Sequence, residues 1–150
     1  MSRTTARIAA MQMIFEKVSG GQGGEETLKM VYDELRENGL SPEAGIPESD
    51  PDQEDRKYIS DTFQGVLEHL DEIDALLAQT AKGWTLDRMS LVDLTVLRLA
   101  VYEILHNPDV PDRVAVSEAL ELTERYSDPD DKSFVNGILG TIVRQKESRE

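Results

Sequence analysis

Cysteine is absent from the 150 residues. That removes disulfides, thiolate metal sites and cysteine nucleophiles together, and fits a reducing compartment. Histidine is almost as scarce. His69 and His106 are the two in the chain, far apart in sequence and outside any metal-ligand spacing; each reads as an ordinary helix-surface or helix-end residue. No G-x-S-x-G or H-E-x-x-H occurs. No apolar run approaches the roughly 18 residues of a membrane span. Arg3 and Arg7 are followed by no long apolar block with a cleavage site, so no secretory signal is read. No segment alternates with period two, and no internal repeat is visible. These absences predict a cytoplasmic protein that is not an enzyme, carries no cofactor or metal and enters no membrane.

Basic residues are also in deficit, 16 against 30 acidic ones, for a net charge of −14. At long range such a chain repels phosphate, so simple nucleic-acid binding is disfavoured. The deficit is uneven. Residues 1–24 hold Arg3, Arg7 and Lys17 against Glu16, a balance of +2; residues 25–80 balance at −12 and residues 81–150 at −4. Any anion-binding surface must be local, and the first segment is where to look.

What the sequence does have is helical periodicity, and 39% hydrophobic residues, enough to bury a core at this length. Thr4 or Thr5 could cap a first helix to about Val18, with Ile8, Met11, Phe15 and Val18 as its stripe. SGGQGG (19–24) breaks it; the run lacks the Gly-Lys-Ser/Thr ending of a P-loop and reads as a connector. Leu28, Val31, Tyr32 and Leu35 mark a second helix ended by Gly39. Residues 40–51, with three prolines, form a loop. Asp50-Pro51 then suits a helix start, and Ile59, Phe63, Val66, Leu67, Leu70, Ile73, Leu76 and Leu77 carry one stripe to about Thr80, with a bend at Gly65. Gly83 and Trp84 punctuate, and Leu86–Met89 suggests a short turn. Ser90 can cap LVDLTVLRLAVYEIL (91–105), whose apolar residues leave no face for water, the mark of a bundle centre. HNPDVPD (106–112) stops it. Val114–Tyr126 gives the next helix, and DPDDKS (128–133) leads into the last, Ser133 to Gln145, facing inward with Phe134, Ile138 and Ile142. The fold class is all-α, with six or seven helices.

Asp128, Asp130 and Asp131 lack the sixth-position glycine and closing glutamate of a calcium loop, so helix capping is the reading preferred for them. The arginines are harder to place. Arg3 and Arg7 lie four apart on one helix face, and cations at a helix N-terminus oppose its dipole at roughly 0.3–1 kcal/mol each. Either they pair with the chain's own carboxylates or they await an external anion such as an RNA phosphate. Phe15 is core by default, although an aromatic beside basic residues can stack a base. Arg98, inside the greasiest helix, needs a carboxylate. Asp93 and Glu103 are each five residues away, off the favoured spacing, so its partner comes from another helix or from a bound molecule.

Leu97-Arg98 with Tyr102-Glu103-Ile104 forms one motif. Pro111 with Val114-Ala115-Val116-Ser117-Glu118-Ala119 forms a second, and Phe134-Val135-Asn136-Gly137 a third. In that order the three resemble the NusB family of bacterial transcription antitermination factors; Ala6-Arg7 and Gln12 also fit. The match is strong over 84–144, moderate over 3–18 and loose over 19–83. The resemblance implies two small packed helical subdomains, about 3–80 and about 84–147. It also implies pairing with NusE, a basic ribosomal protein of the small subunit that suits an acidic surface. With NusE the family binds boxA RNA, notably in rRNA leaders, and helps load an antitermination complex on RNA polymerase. Carried over by residue, Arg3, Arg7, Phe15, Arg98, Asp130, Lys132 and Phe134 are the RNA candidates. Asp87 and Asp93 are the NusE candidates, while Asn136 and Gly137 are structural, the glycine as a close helix contact. Thr4 and Thr5 depart from the family's arginine-rich start, which implies weak RNA affinity without NusE. Some members form homodimers that hide the RNA face, a state also open to this chain. The competing reading is an acidic helical adaptor with no RNA contact. The related domain fused to RNA cytosine methyltransferases does not apply, since 150 residues leave no room for the enzyme.

Overall fold

The computed structural model describes residues 1–21, 51–81 and 89–149. Outside them lie the expected helix with Leu28 to Gly39, nearly all of the 40–51 loop, the Gly83-Trp84 punctuation and most of the 86–89 turn. Among the described residues there are six α-helices and one 3-10 turn, with no strand. The helices are α1 Arg3–Val18, α2 Gln53–Glu68, α3 Leu70–Thr80, α4 Leu91–His106, α5 Asp112–Tyr126 and α6 Lys132–Ser148; the 3-10 turn is Pro129–Asp131. The all-α class holds.

Contacts divide the chain into Met1–Gln64 and Gly65–Glu150. In the first unit α1 begins two or three residues earlier than expected, because Ser2 rather than Thr4 or Thr5 caps it: the Thr5 N–H donates to Ser2 Oγ at 3.1 Å. It ends where Gly20 adopts φ 103°, a left-handed conformation glycine takes without strain. Burial runs almost around α1 from Thr5 to Ile14, sparing Gln12 alone. Phe15 and Val18, expected inside, are left exposed and half-buried. The cap of α2 is Asp52, not Asp50. The Asp55 N–H donates to Asp52 Oδ1 at 2.8 Å and the Asp52 N–H to Asp55 Oδ2 at 3.0 Å, a reciprocal capping box. The Asp55 N–H holds the Asp52 carboxyl below its ordinary pKa.

In the second unit α4 is central, packed by α3, α5 and α6. Ser90 caps it through the Asp93 N–H at 3.0 Å, and burial is continuous from Asp93 to Val101, as the unbroken apolar run predicts. The stripe expected to continue to Thr80 is two helices. Their break falls at His69, and Gly65 lies inside α2. Gly65 serves packing: a Cβ there would overlap the Tyr102 ring of α4. Asn107 ends α4 and folds back to accept from the Asp109 N–H at 3.2 Å. Near the same end Lys146 of α6 donates to the Ile104 carbonyl and to Asp112 Oδ1, each at 2.9 Å. Asp128 caps the 3-10 turn through the Asp130 N–H at 2.9 Å, the capping use foreseen for this acidic loop. Buried Val135, Ile138, Leu139 and Ile142 form the inner face of α6, with Phe134 only half-buried. Gly137 is exposed, and a Cβ there would meet nothing within 4 Å. It is therefore not the close helix contact expected of it.

Candidate nucleic-acid interface

In the first unit the α1 cations meet α2 through an aromatic ring. The guanidinium carbon of Arg3 lies 4.3 Å from the Tyr58 ring centroid and that of Arg7 lies 5.6 Å from it. The Met1 amine sits 3.6 Å from Asp55. The negative ring face and this carboxylate offset the like-charge repulsion and the opposing helix dipole. The two arginines then part ways. Arg3 is exposed, whereas Arg7 is 2% exposed. Stacked on Tyr58, Arg3 keeps donors open to solvent, whereas Arg7 is an interior residue. Phe15 is 37% exposed, the one large hydrophobic side chain so exposed among the described residues. An exposed ring and an exposed cation on one net-positive helix can stack a base and pair with a phosphate.

In the second unit Asp130, Lys132 and Phe134 gather at the start of α6. Asp130 is exposed, Lys132 and Phe134 are partly so, and Lys132 Nζ lies 3.3 Å from Glu124 Oε2. Asp93 joins this group from beneath. It is 4% exposed, and the Asp131 carboxyl hydrogen-bonds to it. That bond, partial burial and the charges of Asp93, Asp128 and Asp130 push Asp131 up to about 6. The NusE role expected of Asp93 therefore falls on an inward-turned side chain, and Asp87 lies outside the described residues.

Arg98 has an internal partner. Its Nε and Nη2 donate to Asp74 Oδ1 and Oδ2 of α3 at 2.8 and 2.9 Å, a bidentate pair, with Arg98 7% exposed. Another helix supplies the carboxylate, one of the two sources the spacing left open. The guanidinium is thus tied to the second unit's own carboxylate, with Nη1 buried and without a hydrogen-bond partner among the described residues.

The structure also joins two residues the sequence keeps apart. The rings of His69 and His106 stack with centroids 3.8 Å apart and planes 14° from parallel. Glu72 stands beside both: His69 Nδ1 is 3.2 Å from Oε2, and His106 Nε2 is 3.3 Å from Oε1. The His69–Glu72 spacing of three, within one helical turn, was the sole signal in the sequence; nothing local connected either residue to His106.

The NusB family's sequence model matches residues 4–144. The transcription antitermination protein NusB of Symbiobacterium thermophilum is 38% identical over 144 residues, spanning 96% of this chain and 90% of that protein. The solved NusB of T. maritima superposes with a TM-score of 0.77 at 31% identity, covering 96% of this chain and 92% of that one. A NusB chain solved with NusE and dsRNA has a TM-score of 0.73 at 22% identity, over 95% and 96% of the two chains, and shares the fold.

Proposed function

The chain belongs to the NusB family, and from that premise we propose that it is a transcription antitermination factor, acting without catalysis. In this reading it binds boxA-type RNA together with NusE, supports rRNA transcription, and joins an antitermination complex on RNA polymerase in the cytoplasm. One observation carries it: Arg3 and Phe15 are exposed on a segment of positive balance, +2 over residues 1–24, in a chain of net charge −14. Asp130, Lys132 and Phe134 at the start of α6 supply a second patch of the same reading. The relatives' names and the NusE–dsRNA complex of a fold neighbour support it.

The adaptor reading draws on the burial of Arg7 and Arg98, which removes two cations from any RNA surface. A gel shift with boxA RNA, with and without NusE and against mixed-sequence RNA, separates the two. Arg3→Ala is the informative variant, because Arg7→Ala would test folding instead. Losing one phosphate contact should weaken boxA binding several-fold while NusE binding stays as in the parent. Phe15→Ala should cost about 1–3 kcal/mol if a base stacks there. Equal RNA binding by the parent and both variants would leave the adaptor reading in possession. A homodimer hiding the RNA face would appear as a doubled mass in sedimentation of the RNA-free chain.

A further inference from the structure

We propose that His69, Glu72 and His106 form a binding site for a divalent transition-metal ion of the Zn2+ class, independent of RNA binding. Their ligand atoms, one per residue, all lie within 4.8 Å of one another. Bonds of about 2.0–2.1 Å at tetrahedral angles place neighbouring donor atoms about 3.3 Å apart. Each imidazole nitrogen already stands at that spacing from one Glu72 oxygen, His69 Nδ1 at 3.2 Å from Oε2 and His106 Nε2 at 3.3 Å from Oε1, so a small turn of the carboxylate would bring one oxygen to both.

The bonding around His106 points the same way. Its Nε2 is enclosed and has no hydrogen-bond partner among the described residues. The ring nitrogen faces Glu72 Oε1 at ion-pair distance without the alignment of a hydrogen bond. A buried polar atom left in this way is costly, and a metal lone-pair acceptor placed between the imidazoles and the carboxylate would satisfy it. Stacked parallel rings do not aim their lone pairs at one point, so binding requires the two imidazoles to tilt. Rotation about the ring torsion is broad and soft, and side-chain exposures of 37% for His69 and 28% for His106 leave room for it.

Two imidazoles and a carboxylate suit Zn2+, Co2+ or Ni2+ rather than hard Mg2+ or Ca2+. Three protein ligands leave a fourth position for water. His69 precedes α3, Glu72 lies in its first turn, and His106 is the last residue of α4. A bound ion would therefore lock the first turn of α3 to the end of α4 and stabilise the second unit by mass action.

The test uses the untagged, chelator-stripped full chain titrated with Co2+, read by its visible absorption and displaced by Zn2+. The parent should bind one equivalent and melt at higher temperature with Zn2+. His69→Gln and His106→Gln should each weaken binding at least tenfold, and the double variant should abolish it. Asp109→Asn, a nearby exposed acid outside the site, should bind as the parent does. Circular dichroism checks that each variant is folded. If the parent shows no one-to-one Co2+ spectrum, or the folded double variant keeps it, the site does not exist and the stacked histidines are a packing feature.

Discussion

Charge at single residues divides this protein's ionisable groups into scaffold and surface. Arg98 and Asp74 pair across two helices through Nε and Nη2, with Nη1 left without a hydrogen-bond partner among the described residues, and removing either residue would strand the other at the edge of the core. Asp131 is the opposite case, a carboxyl crowded by like charges. Its pKa rises from an ordinary 3.8 to about 6, chiefly through the bond to Asp93. The folded chain thus holds this proton more tightly than the unfolded chain. Its contribution to stability is complete below the ordinary value and is lost as pH rises through the folded one. Asp131→Asn keeps a donor to Asp93 and cannot ionise. The variant should therefore melt above the parent near pH 7, and its melting temperature should change less between about pH 4 and pH 7. Parallel melting curves across that range would show that the pair does not titrate as described.

Among the elements, the last helix carries the clearest local anomaly. Gly137 lies in the interior of α6, exposed, with open space where a side chain would sit. A mid-helix glycine costs roughly 0.5–1 kcal/mol relative to alanine, and nothing within the described residues repays that cost. Gly137→Ala should raise the unfolding free energy by about that amount in urea titration, with the m-value unchanged. Loss of stability instead would mean the space is filled. Gly65 is the contrast: the same residue type is required because the Tyr102 ring occupies the place of its Cβ. Both glycines stand in periodic helical sequence, and only the neighbours distinguish them. The same is true of the helix break, which the sequence marks at glycine and the structure makes at His69, beside the stack with His106.

For the whole molecule, net charge sets how RNA can be approached. With −14 overall, mixed-sequence RNA should be held weakly, because the excess of acids repels phosphate and limits the contacts the exposed cations can make. The slope of log K against log salt scales at about −0.7 per phosphate contact for single strands. We therefore expect boxA binding by the chain alone to weaken only gently with salt. A steeper slope should appear when the basic partner is added, measured by fluorescence anisotropy in a potassium chloride series. A steep slope for the chain alone would require a cationic surface beyond Arg3 and Lys132.

Much of the architecture was legible in the residues. Unbroken apolar periodicity over 91–105 placed a bundle-centre helix, proline and glycine placed the stops, and the three ordered motifs placed the family. Such signals are local, and backbone propensity and side-chain periodicity act locally. Burial of an ionisable group is not local. Arg7 and Arg3 occupy equivalent positions on one helix face, yet one is interior and the other exposed. The partners of Arg98 and Asp93 come from 24 residues before the arginine and from the loop before α6. The meeting of His69 with His106 depends on how α3 packs on α4. Sequence alone determined which segments coil and which family the pattern fits. Only tertiary packing decided which charges face water, because desolvation and pairing are set by neighbours brought together across the chain.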